Sequence, residues 1–416
     1  MAMERDEIVI TGVGVLAPIG IGSEACLESL TAGESGIRRI ESFDTSDFPV
    51  RIAGNLPDFN PREFVRPLKS LKVMSREAQM SVAAARFASE QANLDRDSLD
   101  PERLGVVFGA DIVRLQFPEF DGSYRHAVQG GEFSYERFAK EGIFKDHPLG
   151  FLKTLPNMLA CHVTIFLEAW GPNNTIQFRE VSGLLAIAEA AHVIQRGQAD
   201  VMVAGAASCR LHPLDLARGI LCEDLSQSKD PATGSRPFEL NRSGEVRGEA
   251  AAAVVLERRR DAEARGATIL ARILGHGSSW GTQQIGLARA GRRALETAGV
   301  SAGELEYVSA HGLATRASDQ GEAEAIRSLR SDLPVTALKS YFGNLGAASG
   351  AVELIANLLA TSTGVIPATL NYDEPDPDCD VNVLHGQPQS YAGGPLLCWN
   401  ATQVGQAAAI VVQPQA

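Results

Sequence analysis

Three short segments of this chain set a reactive side chain among small neighbours. The first, Gly171-Pro-Asn-Asn-Thr-Ile-Gln-Phe-Arg-Glu-Val-Ser-Gly183, runs into a long apolar stretch, with Glu180 at the turn between them. A strand, a tight turn and a helix expose a side chain beside helix N–H groups, which favour negative charge. Glu180 is therefore either a reactive carboxylate or a first-turn acid that suits the helix dipole, an effect worth about 0.3–1 kcal/mol. The second segment, Ser309-Ala310-His311-Gly312-Leu313-Ala314-Thr315, is followed by Asp319 and Glu322. A histidine directly after a strand suits an oxyanion donor or proton carrier; a packed structural histidine is the alternative. The third runs from Lys339 to Gly350, and its Lys339 and Asn344 either form a polar pocket or flank small residues that pack helices closely, with Lys339 exposed.

The elements that must hold these segments alternate along the chain. Short apolar runs at Ile8–Ile10, Val106–Phe108, Asp200–Ala204, Ala251–Leu256, Ala271–His276, Tyr307–Ser309 and Ile410–Val412 read as buried strands. Helical stretches lie between them at Glu77–Gln91, Gly183–Gln195, Ala288–Ala298, Asp319–Leu329 and Gly350–Thr361. Such alternation predicts an α/β architecture with parallel or mixed central sheets. The Pro- and Asp-rich run Tyr372–Asp380 is too short for a linker, and no short-period repeat is present. A strand followed by a glycine-bounded helix recurs in both halves, which suggests a structural repeat.

The 416 residues are 44% apolar and 21% charged, ordinary for a soluble globular protein. No apolar stretch reaches the length of a membrane span, and the charged leader MAMERDEIVITGVG lacks a signal peptide's layout. Six scattered cysteines, at 26, 161, 209, 222, 379 and 398, form no CxxC pair and no metal-ligand spacing. A cytoplasmic setting with reduced thiols and no metal is expected. A net charge of −13 argues against nucleic-acid binding. An acidic partner would then need a local basic patch. Arg62, Arg66, Lys69, Lys72 and Arg76, against Glu63 alone, form either that patch or a solvated helix face.

Taken together, these segments resemble the type I/II β-ketoacyl-acyl-carrier-protein synthases. The likeness runs through IVITGVGVLAPIG, LPNMLACHVTIFLEAWGPNNT, GQADVMVAGAAS, SRPFELNRSGEVRGEAAAAVVLE, LEYVSAHGLAT, LKSYFGNLGAASGAVELIANLLA and PATLNYDEPDPDCDVNV, nearly the whole chain. It implies the thiolase fold, two similar α/β halves in five α-β-α-β-α layers, here residues 1–258 and 259–416. It also implies a homodimer or heterodimer formed beside the strand that ends near Phe178. The implied partner is an acyl carrier protein with its phosphopantetheine arm, and no cofactor is implied.

Residue by residue, the family's nucleophile motif Thr-Ala-Cys-Ala/Thr-Ser-Gly corresponds to Phe178-Arg179-Glu180-Val181-Ser182-Gly183, so the cysteine position holds Glu180. The histidine of His-Gly-Thr-x-Thr is kept as His311. Of its two pantetheine-holding threonines, one has become Leu313 and the other remains as Thr315. Asp319, Glu322 and Lys339 match, whereas the second catalytic histidine is Asn344. The C-terminal loop that gates the acyl pocket and lends a backbone oxyanion donor reads Asn400-Ala401-Thr402-Gln403-Val404-Gly405-Gln406, with most positions changed. Phe178, Thr315 and Val404 are the expected substrate-binding positions, and Arg62, Arg66, Lys69, Lys72 and Arg76 correspond to the carrier-docking region. The stretch from Gly277 to Ala290 is shorter than its counterpart at the site mouth.

A thiolate holds an acyl chain as a stable yet reactive thioester. A carboxylate would form a mixed anhydride, which hydrolyses readily. Cysteine-dependent condensation is therefore not expected. The resemblance leaves two readings: a non-condensing partner of an active ketosynthase, similar to a chain-length factor, or an enzyme of altered chemistry. In the second, Glu180 acts as base while His311 and Asn344 form an oxyanion pair for decarboxylation, hydrolysis or acyl transfer.

Overall fold

A computed structural model describes residues 6–95, 99–146 and 148–415. In the first half, strands β1 (Ile8–Ala17), β2 (Leu104–Ala110), β3 (Asn173–Ile176), β4 (Val201–Cys209) and β5 (Glu249–Arg258) alternate with helices α1 (Arg76–Gln91), α2 (Met158–Leu167), α3 (Ser182–Gln195) and α4 (Pro213–Cys222). The second half carries β6 (Ala271–Trp280), β7 (Tyr307–Ser309), β8 (Pro334–Thr336), β9 (Asn382–Val383), β10 (Leu396–Ala401) and β11 (Gln406–Pro414). Its helices are α5 (Gln283–Ala298), α6 (Arg316–Leu329) and α7 (Ser349–Ser362).

All these strands join in one sheet of order β9-β8-β7-β10-β11-β6-β1-β5-β4-β2-β3. Each half repeats one topology. β1 pairs antiparallel with β5, β5 antiparallel with β4, β4 parallel with β2, and β2 parallel with β3. Likewise β6 pairs antiparallel with β11, β11 antiparallel with β10, β10 parallel with β7, and β7 parallel with β8. The repeat that the sequence only hinted at is thus explicit in the strand order.

β1 and β5 are buried at every position, so their sequences run apolar without alternation, as strands covered on both faces must. Helices α1 and α2 cover the first half's strands, α5 and α6 cover the second's, and α3 and α7 pack together between them. The five expected layers are present. The central layer depends on small residues: Gly183 stands against Ala351, and Gly350 against Leu184. Leu184, Ile187, Ile194, Leu354 and Ile355 fill the space around them, and each such fully buried side chain contributes roughly 1.5–3 kcal/mol.

The basic stretch differs from a helix face. It forms two 3-10 turns, Pro61–Glu63 and Leu68–Val73, and the helix begins only at Arg76, behind the Ser75 cap. Arg62, Arg66, Lys69 and Lys72 are exposed. Arg76 is not free to join them, because its Nη2 donates to Glu249 Oε1 at 2.7 Å and its Nε to Oε2. Burial of Glu249 at the head of β5 demands that partner.

Candidate functional site

The turn that carries Glu180 is strained. Arg179 adopts φ 52°, a left-handed conformation that costs a non-glycine residue roughly 1–2 kcal/mol. The short helix Arg179–Val181 then leads directly into α3, and Phe178 N–H donates to Ser182 Oγ at 2.8 Å to close the turn. The result buries Glu180 to 4% exposure. A strained strand-to-helix turn is thus present, but its central side chain faces inward rather than outward.

Glu180 meets charge there. Arg210 Nη1, at the end of β4, lies 3.3 Å from its Oε1, and Asn344 Nδ2 donates to the same oxygen at 3.2 Å. Its Oε2 accepts no hydrogen bond and has Arg179 Nε at 3.5 Å. Burial pushes the carboxyl up, but Arg210 and Arg179 outweigh it and hold Glu180 below the usual carboxylate range. Glu180 is therefore an anion at neutral pH.

Asn344 is fully committed. Gly343, at φ 76°, turns the chain so that Asn344 N–H donates to Val246 C=O at 2.6 Å. A Cβ at Gly343 would lie 2.5 Å from that same carbonyl. The Asn344 amide nitrogen also donates to Glu245 Oε2 at 2.8 Å. Its oxygen accepts from Gly346 N–H at 3.1 Å and Ser349 Oγ at 3.2 Å. Both carboxylate contacts fall on the nitrogen and both donors on the oxygen, so the orientation of the amide follows from its neighbours.

His311 belongs to a different network. Its N–H and that of Gly312 both donate to Glu322, which also accepts from Trp399 Nε1 at 2.7 Å. Burial raises Glu322 to about 7. The His311 ring is 3.4 Å from Lys339 Nζ through Nδ1, and burial together with that lysine holds it well below its ordinary value. Lys339 pairs with Glu353, whose other oxygen accepts from Asn400 Nδ2 at 2.7 Å. Lys339 is therefore buried, and the exposed alternative for it falls away. Asp319 supports the same loop by accepting from Ala314 N–H at 3.1 Å and Phe238 N–H at 2.8 Å.

The remaining expected residues scatter. Thr315 is buried at the start of α6. Val404 sits at the 58% exposed tip of the β10–β11 hairpin, where Gly405 N–H bonds Thr402 C=O at 3.0 Å. Phe178 is half exposed and lines a cleft of about 1230 Å³ shared by α3 and β6. Arg179, one residue on, lines a second cleft of about 260 Å³. Of the expected substrate-binding trio, Phe178 lines the larger of these two clefts, and Thr315 and Val404 line neither.

Sequence reasoning missed Arg210, Glu223, Glu245 and Arg247. Glu223 accepts from Arg179 Nη2 at 3.0 Å, Arg210 Nη2 at 3.1 Å and Arg247 Nη2. Glu245 lies 3.5 Å from Arg210 and 3.4 Å from Arg247. A signal existed in Ser243-Gly-Glu-Val-Arg-Gly-Glu249, where three charges precede a strand of alanine and valine. No group of His, Cys, Asp or Glu among the described residues could hold a metal. Burial pushes the thiols of Cys26 and Cys379 up to about 12 and raises those of Cys209 and Cys398 as well.

With this geometry in view, the comparisons agree with one another. The family model described as Beta-ketoacyl synthase, N-terminal domain, matches residues 5–262, and the corresponding C-terminal domain matches 267–373. The chain belongs to the β-ketoacyl synthase family, and its fold is the thiolase fold. It is 33% identical over 395 residues to 3-oxoacyl-[acyl-carrier-protein] synthase 2 of Coxiella burnetii, with 92% of each chain covered. It is 34% identical over 431 residues to the tetracenomycin polyketide synthase ketoacyl synthase alpha subunit of Streptomyces glaucescens, covering 98% of this chain and 97% of that one. Among solved structures it resembles the ishigamide ketosynthase/chain length factor, at TM-score 0.88 and 30% identity, over 99% of this chain and 100% of that one. It is thus a ketosynthase-like protein of fatty acid or polyketide biosynthesis. No helix among the described residues is long and apolar enough to cross a membrane.

Proposed function

We propose that this chain is a non-condensing, chain-length-factor-like partner of a cysteine-bearing ketosynthase, and that Glu180 stands in place of the acylated cysteine. The observation that carries this reading is the state of Glu180: buried, ionised and held by Arg210, Arg179 and Asn344. A carboxylate so bound neither carries a durable acyl chain nor attacks one. It would also repel the carboxylate of a malonyl group.

The competing reading, in which Glu180 is a base beside an oxyanion pair, needs a free donor from Asn344. The Asn344 amide nitrogen already serves two carboxylates. An oxyanion placed there would meet Glu180 and Glu245 instead of donors. His311 is tied to the Lys339 network rather than to Glu180.

In this reading the partner subunit pairs along β3, the edge strand of the sheet, and an acyl carrier protein docks at Arg62, Arg66, Lys69 and Lys72. The residues divide as 1–258 and 259–416, in line with the repeated strand order. A cytoplasmic setting accords with six cysteines that are all free. Co-expression with a cysteine-bearing ketosynthase tests the reading. A stoichiometric complex that makes product, with the product retained in Glu180→Gln, is expected. Turnover of malonyl- or acyl-carrier protein by the isolated chain, abolished in Glu180→Gln, would overturn it.

A further inference from the structure

The corner where β6 turns into α5 carries an apolar group that the fold leaves uncovered. Trp280 ends β6 at 62% exposure, Ile285 lies in the first turn of α5 at 41%, and Val404 stands at the β10–β11 tip at 58%. Backbone contacts hold the three together. Gly281 N–H donates to Gly405 C=O at 3.0 Å, a Cβ on Gly405 would lie 3.6 Å from Trp280 Nε1, and one on Gly281 would lie 3.1 Å from Ile285 Cγ2. From Ile285 an exposed stripe continues along α5 through Arg289, Arg292, Arg293 and Glu296, while Leu287, Ala290, Ala294 and Leu295 are buried on the other face. We propose that this corner and stripe form a second docking surface for an acyl carrier protein, besides the segment from Arg62 to Lys72. The proposal rests on the carrier partnership in the reading above and extends it to another face.

The arginines are the unusual part. Other exposed helical charges here pair with an opposite charge four residues away, as in Arg86–Glu90, Arg125–Asp121 and Arg259–Glu263. On α5 the spacing is the same but the charges are alike, and Arg289 and Arg293 repel each other. Acids are not scarce, with 51 Asp and Glu against 38 Lys and Arg. Even so, neither Arg289 nor Arg293 pairs with a carboxylate among the described residues, and Glu296 alone among the acids shares their cleft of about 520 Å³. Arg292 donates to the Ser328 carbonyl at 3.3 Å and to its hydroxyl at 3.0 Å. Guanidinium groups left unpaired in an acidic chain are open to carboxylates from outside, which they can take two bonds at a time.

Composition and charge together select the occupant. Tryptophan and arginine are the residues most enriched where partners bind tightly. Trp280, Ile285 and Val404 would serve many partners, but the three arginines favour an acidic one. The net charge of −13 repels such a partner at long range, so a local basic stripe must set where it lands. A second copy of this chain fits poorly, since a two-fold contact through the stripe would set arginine against arginine.

Trp280 supplies the probe. In Trp170→Phe it is the one exposed tryptophan left, because Trp399 is buried. Titration with the holo-acyl carrier protein of the same organism at low salt should shift Trp280 emission to the blue and cut its quenching by acrylamide at least twofold. In the same background Arg289→Glu/Arg293→Glu, with its thermal melt unchanged, should raise the Kd at least fivefold, and Arg289→Lys/Arg293→Lys should restore most of the affinity. An unchanged Kd in the glutamate variant, or Trp280 emission unmoved at saturating carrier, would overturn the proposal. So would equally tight binding of an unrelated acidic protein of the same net charge, or protection of Trp280 by a ketosynthase or by self-association with no carrier present. Arg66→Glu/Lys69→Glu is measured alongside. Carrier binding weakened by that pair alone sinks the second surface and leaves the reading intact, whereas no carrier binding by the parent chain sinks the carrier partnership itself.

Discussion

Arg210 Nη1 lies 3.3 Å from Glu180 Oε1, with both side chains buried. Arg210 also contacts Glu223 and Glu245. Removing it would leave three buried carboxylates with fewer cations, whereas removing Glu180 leaves Arg210 with two acids. Breaking a buried pair costs about 3–5 kcal/mol. Arg210→Met should therefore fall at or above the upper end of that range and Glu180→Gln at or below the lower, read from urea midpoints at constant slope.

The same pair predicts a pH dependence. The folded Glu180 titrates below its ordinary value of 4.5, with Arg210, Arg179, Glu223, Glu245 and Asn344 facing it. Its stabilisation is fully present above that value and is lost as pH falls through the lower, folded one. The stability gap between wild type and Glu180→Gln should hold constant from neutral pH to 4.5 and narrow below it. A gap that widens on acidification would contradict the assignment.

Arg76 and Lys69 should part company in mutational tests. Arg76→Ala leaves Glu249 unpaired at the head of β5 and should lower stability by about 3 kcal/mol. Lys69→Glu and Arg66→Glu alter only exposed charge, so the melt should move little. In the proposed docking role they would slow association with an acidic carrier protein several-fold at low salt, and the effect would fade as salt rises. Stopped-flow measurements at two ionic strengths separate these outcomes.

Lys339 supports His311 and Glu353 together. In Lys339→Met the nearby cation is lost, so the His311 ring should titrate higher than in wild type, though burial keeps it below 6.5. Histidine ring NMR shifts followed against pH give the direction. Glu353 would be left buried without its cation, and a loss of about 3 kcal/mol is expected.

How much of this was legible beforehand depended on locality. The core of β5 could be read from Ala251–Leu256 because a strand buried on both faces has no polar alternation to obscure it. The α3 segment and His311 stood out because a helix start or a strand end confines a polar residue among small ones. The ion pairs around Glu180 were only partly legible: Glu245 and Arg247 stand out as charges before an apolar strand, but Arg210 and Glu223 each look like an ordinary surface charge, and Asn344 lies 164 residues from Glu180. Arg76 was read as one of a basic set since its partner, Glu249, is 173 residues away. The substrate-binding positions Phe178, Thr315 and Val404 rest on family motifs alone, and a motif fixes neither the direction of a side chain nor the shape of the loop that bears it.

The join between the halves has its own consequence. β1 and β6 pair over Ile8–Ile10 and Ala271–Ile273, and Asn344 of one half bonds Glu180 of the other. Heat or denaturant cannot loosen one half without exposing the seam of its twin, so the chain should melt in a single calorimetric peak.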